Sequence, residues 1–316
     1  MDFIYFSKKP FGWAEQMLVE KIRELGYTAD VYDWDEVEIT DSSFMYQGKE
    51  MKLPTVAMFI SRVRTRHIQG DRLYLFDWLD LLETKGVRIL NRPKAVRSSS
   101  NKVYAANILK SAGVRVPETR LVTSMDQIEA ALKEWKDIIL KPLAGNASVD
   151  LTRLILDERR YGDEETEVLS IFQETPIWNM LQKHPVICAQ QYVQNPGHDI
   201  RINVVAGKVV SISANDALPN TWRKKDINEG KLLRKYELTK ELESVALKAV
   251  EVLGLDYAPI DLVESEDGPV VIEVNSAISI WPGHETMGIT IDSEGSVKYY
   301  VNMIIENINK YSTQSV

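Results

Sequence analysis

The stretch PIDLVESEDGPVVIEVN, residues 259–275, decides the reading of this chain. Asp261 follows the apolar run Ala258–Ile260, and Glu273 and Asn275 flank Val274. The strands Tyr257–Val263 and Val270–Val274 are joined by Glu264–Pro269, a charged loop with a glycine that reads as a hairpin. Side chains two apart on a strand share a face, so Glu273 and Asn275 look the same way. The hairpin carries Asp261 to that same end. Two carboxylates and one amide oxygen thus converge, with apolar residues behind them. Hard oxygen ligands of this kind suit Mg²⁺, which takes few protein ligands and completes its shell with water and phosphate oxygens. The plainer alternative is a solvated acidic sheet face. The burial-type residues around the acids favour the metal, because buried anions need a cation.

Working outward, bases are scattered upstream. Lys102 opens a helix, Lys141 ends the apolar strand Asp137–Lys141, Arg201 lies two residues after Asp199, and Arg223 follows Trp222. Most such lysines are solvated, but a charge ending the run Ile138-Ile139-Leu140 needs a partner. Combined with an Asp/Glu/Asn cluster, the set suggests a nucleoside triphosphate held by Mg²⁺ and cations. No GxxxxGK[ST] and no GxGxxG occurs, so neither the P-loop nor the dinucleotide-binding fold is supported.

The remaining pattern suggests three regions. Residues 1–97 alternate short apolar strands (Asp2–Phe6, Val31–Trp34, Thr55–Ile60, Val87–Leu90) with helices (Ala14–Leu25, Leu73–Thr84), as in a doubly wound α/β domain. Residues 98–185 read as a small α+β domain, with Ser98-Ser99-Ser100 as helix caps before the helix Lys102–Ser111. Residues 186–316 read as an antiparallel-sheet domain whose strands lead to the decisive hairpin and a closing helix, Val297–Ile308, with a frayed tail at Ser312–Val316.

Composition sets the outer limits. The chain has 316 residues, 46 acidic against 38 basic, and a formal net charge of −8. That balance argues against non-specific nucleic-acid or anionic-membrane binding. The single cysteine, Cys188, excludes an internal disulfide and a cysteine zinc site, and suits a reducing cytoplasm. No apolar run is long enough for a membrane helix, and the start does not read as a signal peptide.

The order of motifs resembles the ATP-grasp superfamily, specifically the RimK-like carboxylate–amine ligases. The matching stretches are NRPKAVRSSSNK (91–102), GVRVPETRLV (113–122), DIILKPLAG (137–145), AQQYVQNPGHDIRINVVAGKVV (189–210), TWRKKDINEGK (221–231) and the decisive 259–275. The resemblance implies an ATP-grasp fold, with 1–97 as the pre-ATP-grasp domain, 98–185 as the lid and 186–316 carrying the metal site. It implies that Lys102 and Lys141 contact ATP phosphates, and that Gln190, Gln191 and Val193 line the adenine pocket. Asp199 would face the ribose or the substrate. Arg201 and Arg223 would stabilise the transferred phosphoryl group. Asp261, Glu273 and Asn275 would hold two Mg²⁺ ions, with Mn²⁺ as a substitute. Arg62 lies where the family has an arginine near its substrate, and Arg62, Arg64 and Arg66 alternate after a strand, with a solvated basic edge as the alternative.

Three departures touch the site. The loop Ala144–Ser148 is poor in glycine, Lys225 stands where the resemblance expects asparagine, and SAISIWPGHETMGI (276–289) replaces a short Pro-Gly turn. In that last stretch Glu285 could attract an ammonium and His284 could accept its proton; Trp281 alone reads equally well as packed inward from a surface loop, but a connection so close behind the metal-ligand candidates favours a substrate role for the loop as a whole. The implied activity joins a small-molecule or peptide carboxylate to an amine, such as the amino group of glutamate, through an acyl phosphate. Two rivals stand beside it: a ligase that joins side chains within one peptide, and a nucleotide-binding regulator without turnover. A homo-oligomer is compatible with the sequence.

Overall fold

Four short apolar strands build the first layer of a computed structural model that describes residues 1–40, 43–59, 69–143, 151–156, 171–217, 233–280, 288–291 and 295–312. They are β1 (Phe3–Ser7), β2 (Ala29–Asp33), β6 (Val56–Phe59) and β7 (Arg88–Leu90), in the order β2-β1-β6-β7 and all parallel. Every residue of β1 is buried, as expected of a strand covered on both faces. On one face pack α1 (Trp13–Glu24) and the closing helix, here α8 (Val297–Ser312). The other face packs against α2 (Gln69–Thr84). The doubly wound expectation is therefore met. A small antiparallel sheet, β3 (Val37–Ile39), β4 (Phe44–Tyr46) and β5 (Lys49–Glu50), adds to the α2 side and was not foreseen.

Two helices follow, α3 (Pro93–Ser100) and α4 (Lys102–Ser111). The three serines do not cap α4, as the sequence reading expected. Pro93 starts α3 at its first turn, where a missing N–H costs nothing, and the serines fall inside that helix. The cap of α4 is Asn101, whose side chain accepts from Tyr104 N at 3.1 Å.

The second sheet holds β8 (Thr119–Val122), β9 (Asp137–Pro142), β10 (Thr152–Ile155) and β11 (Ile187–Gln191), all antiparallel, in the order β10-β9-β11-β8. α5 (Met125–Trp135) and α6 (Ile171–Lys183) cover one face around Ile128, Leu132, Ile138 and Leu140. The opposite face carries Lys141, Cys188 and Gln190.

The third sheet is β12 (His198–Val205), β13 (Lys208–Asp216), β14 (Leu233–Lys235), β15 (Tyr257–Ser265) and β16 (Gly268–Val274), in the order β14-β13-β12-β15-β16. Its two faces differ in chemistry. Ile200, Ile202, Ile260 and Leu262 pack with α4 and α7 (Lys240–Leu253). The other face presents Asp199, Arg201, Asn203, Ser211, Ser213, Asn215 and Asp261, matched pairwise by the register. The turn between β12 and β13 needs two left-handed residues, Ala206 at φ 48° and Gly207 at φ 71°. The hairpin into β16 is tighter than the sequence suggested: its ladder runs to Ser265↔Gly268, leaving Glu266 and Asp267 to turn.

The chain is a mixed α/β fold with eight α-helices among the described residues. No helix among them is long and apolar enough to cross a membrane. The ends of α7 follow from local chemistry: Thr239 Oγ1 accepts from Leu242 N at 3.2 Å, and Gly254 ends the helix at φ 69°. Thr239→Ala should lower unfolding free energy by about 1 kcal/mol, and Thr239→Ser should restore most of it, as read by urea denaturation.

Candidate active site

The metal-ligand candidates come together through an irregularity in the ladder. A regular hairpin from Ser265↔Gly268 would set Ile272 opposite Asp261. The register instead shifts between Asp261 and Leu262, and Glu273 becomes the partner of Asp261. This bulge places both carboxylates on the polar face, a use of bulges common beside active sites. Asn275 stands just past β16, its backbone N donating to Pro259 O at 2.8 Å and its Nδ2 to Asp261 Oδ2 at 3.4 Å.

Cations meet these acids from three elements. Arg201 lies directly across β12 from Asp261 and grips it with two bonds, Nε to Oδ1 and Nη2 to Oδ2, each 2.7 Å. The Asp261 carboxylate beside it pushes the guanidinium pKa further up, against the opposing effect of burial. Lys102, in the first turn of α4, reaches Glu273 Oε1 at 3.0 Å. Lys141 comes from the second sheet. It is buried, and its Nζ donates to Gln190 Oε1 at 2.7 Å.

Lys141 differs from the other two. It makes no ion pair among the described residues, and burial pulls its pKa down, with Cys188, Glu273 and Asp261 opposing that pull. Burial likewise raises the neighbouring Cys188 thiol. Gln190 is held in turn, its Nε2 donating to Thr119 Oγ1 at 3.1 Å, so the amide presents its oxygen to the ammonium. A cleft lined by Lys102, Ala106, Val116, Gln190, Glu273 and Val274 lies between α4, β11 and β16.

The other candidates are less central. Asp199 sits on the same face as Arg201, two residues before it, and helps to keep Arg201 charged. Gln191 pairs with Ile138, so it points to the opposite side of β11 from Gln190. Val193 follows β11, and its carbonyl accepts from Asn195 Nδ2 at 2.8 Å. Arg62, Arg223, Lys225, His284, Glu285 and the loop 144–148 lie outside the described residues, as do positions 313–316 of the tail. The sequence reading missed the bulge and the role of Asn91, described below.

The donor set fits Mg²⁺. Among the described residues there is no group of three or more His, Cys, Asp and Glu side chains arranged for a metal. Two carboxylates and an amide are what a hard ion sharing its shell with phosphates and water requires. The bidentate Arg201 pair and the Lys102 contact show that these acids already attract positive charge.

The ATP-grasp fold expected from the motifs is borne out by comparison with known proteins. A family model, RimK-like ATP-grasp domain, matches residues 99–296. The tetrahydromethanopterin:α-L-glutamate ligase of Methanosarcina acetivorans is 28% identical over 81% of this chain and 80% of its own length. The protein of that name from Methanococcus maripaludis is 32% identical over 67% of this chain and 68% of its own. Among solved structures, D-cycloserine synthetase DcsG superposes with a TM-score of 0.67 at 18% identity, over 97% of this chain and 99% of its own. The ATP-grasp ligase PsnB, complexed with a minimal precursor, Mg and ADP, gives 0.65 at 18% identity, over 97% and 98%. The chain belongs to the RimK-like ATP-grasp family, whose members are ligases that form carbon–nitrogen bonds.

Lys141→Met keeps the length and apolar stem of the side chain and removes its charge. Its dissociation constant for ATP, measured by calorimetry, should rise at least ~10-fold, the effect of losing one charge-assisted contact. Glu273→Gln keeps shape and removes one charge from the candidate metal site, and ATP turnover at saturating Mg²⁺ should fall by roughly 100-fold or more. Turnover within a few-fold of the parent would remove Glu273 from the metal centre.

Proposed function

We propose that this ligase joins the amino group of an amino acid, with glutamate as the first candidate, to a carboxylate on a small molecule or peptide. The observation that carries the reading is the site's charge layout. Asp261, Glu273 and Asn275 stand at one end of a sheet, ringed by Arg201, Lys102 and a buried Lys141 that has no anionic partner among the described residues. A polyphosphate supplies the missing anion. The names of the relatives supply glutamate.

The chemistry needs activation because a free carboxylate is a poor electrophile. A carboxylate oxygen of the substrate attacks the γ-phosphorus of ATP, ADP leaves, and an acyl phosphate forms. The amine then attacks the acyl carbon, the C–O bond to phosphate breaks, and the amine gives up its proton. In this reading Lys141 and Lys102 hold the phosphates, and Arg201 offsets negative charge on the transferred group. Asp261, Glu273 and Asn275 would hold Mg²⁺, which when bound would supply positive charge to offset that of the phosphates. The sheet carrying Lys141 and Gln190 covers the nucleotide and keeps water from the acyl phosphate. Arg223 would stabilise the same charge, and Arg62, His284 and Glu285 would contact the substrates. Gln191 and Val193 would border the base and Asp199 the ribose, each as the family resemblance implies. Mn²⁺ in place of Mg²⁺, a cytoplasmic setting and a homo-oligomer belong to the same proposal.

The test is phosphate release from ATP with a panel of amino acids and candidate carboxylates, with products weighed by mass spectrometry. Release that requires both substrates, with a product lighter than their sum by one water, is the expected result. A peptide that loses water with no added amine would identify a cross-linking ligase. Nucleotide binding with no release under any pair would identify a regulator.

A further inference from the structure

Asn91 follows β7 at the carboxyl edge of the first sheet, and it is 1% exposed. Its amide uses all of its hydrogen-bonding capacity on the third sheet. Oδ1 accepts from Asp256 N at 2.5 Å and from Tyr257 N at 3.0 Å. Nδ2 donates to Tyr257 O at 2.9 Å and to Ser276 O at 3.2 Å. These four backbone groups belong to two places. Asp256 directly precedes and Tyr257 opens β15, the strand that carries Asp261, while Ser276 directly follows Asn275.

One side chain therefore fixes the entry of one ligand strand and the exit of the other. The exit needs it more. Asp261 and Glu273 face each other inside a paired ladder, whereas Asn275 lies beyond β16, with its N–H bonded to Pro259 and its side chain 3.4 Å from Asp261. Ser276 is buried at 8% exposure, so its carbonyl needs a donor, and Asn91 provides one. Arg88, at the start of β7, adds an ion pair to Asp256 and steadies the entry side.

We infer that Asn91 is a positioning residue for the metal centre, acting through the Ser276 carbonyl to hold the Asn275 side chain beside Asp261. The inference rests on the assignment of Asp261, Glu273 and Asn275 as metal ligands. Partners that orient a ligand typically control metal affinity by one to two orders of magnitude when removed. The expected defect is accordingly one of metal affinity, with nucleotide binding by Lys141 spared.

Asn91→Asp keeps the size and the acceptor but replaces the donor that meets Ser276. Mn²⁺ binding in the presence of saturating ADP, followed by electron paramagnetic resonance, gives a readout independent of turnover. Asn91→Asp should weaken Mn²⁺ by about tenfold. Asn275→Ala should weaken it at least as much, and the double variant should bind no more weakly than Asn275→Ala alone, because the two residues act in series. Asn91→Ser, smaller and able to donate, should fall between the parent and Asn91→Asp, and it carries the same comparison if Asn91→Asp does not fold. Unchanged Mn²⁺ affinity at position 91 beside a weakened Asn275→Ala, or additive losses in the double variant, would overturn the positioning role alone. Unchanged affinity in Asn275→Ala would overturn the metal assignment and this inference with it.

Discussion

The bidentate contact between Arg201 and Asp261 is the constraint around which the rest of the site is arranged. Two charges facing each other across β12 and β15 can sit on a largely enclosed sheet face only if their geometry is good and neighbours complete their bonding. The neighbours do so. Asn275 gives Asp261 a further donor, Lys102 answers Glu273, and Asp199 lies on the same face as Arg201. Around the bonds the acids Asp199, Asp261 and Glu273 balance the bases Arg201, Lys102 and Lys141. A nucleotide bringing its own divalent cations adds little net charge to such a site. It can exchange partners with the residues there without leaving any of them uncompensated.

The faces of the third sheet show how one strand serves two solvents. Ile200 and Ile202 alternate with Asp199, Arg201 and Asn203, so α4 and α7 receive a wholly apolar surface while the opposite side keeps its polar groups. Helix α4 is thus both part of the core under the sheet and the carrier of Lys102. The second sheet repeats the arrangement, with Ile138 and Leu140 turned toward its helices and Lys141 turned away.

Much of this was legible in the sequence, and the failures have physical reasons. The parallel strands of the first sheet and the hairpin that carries Asp261 follow from apolar runs and a glycine turn. The family motifs marked Lys102, Lys141, Arg201, Asp261, Glu273 and Asn275, and the fold brings Arg201 and Asn275 to Asp261, Lys102 to Glu273, and Lys141 within electrostatic reach of both acids. The small sheet β3–β5 escaped because strands of two or three residues show no period. The serines at 98–100 misled because a capping residue is recognisable only when the helix start is known, and Pro93 starts a helix earlier. The register of Asp261 against Glu273 could not be counted from the turn, since a bulge changes the count. Asn91 opens a family motif, but its bonds could not be read from it, as its partners lie 165 to 185 residues away.

The packing of α8 on the first sheet also orders events in time. Tyr27 and Asn309 are hydrogen-bonded at 3.0 Å across 282 residues of chain, and Tyr300 and Ile304 fill the core beside Phe3 and Tyr5. A ribosome delivers β1 and α1 long before α8 exists. Until then α1 alone covers that face of the early strands, so a segment made early is among the last to be finished. The second sheet, whose core is closed by its own α5 and α6, carries no such delay. The second sheet can therefore be complete while the other two are still waiting for each other.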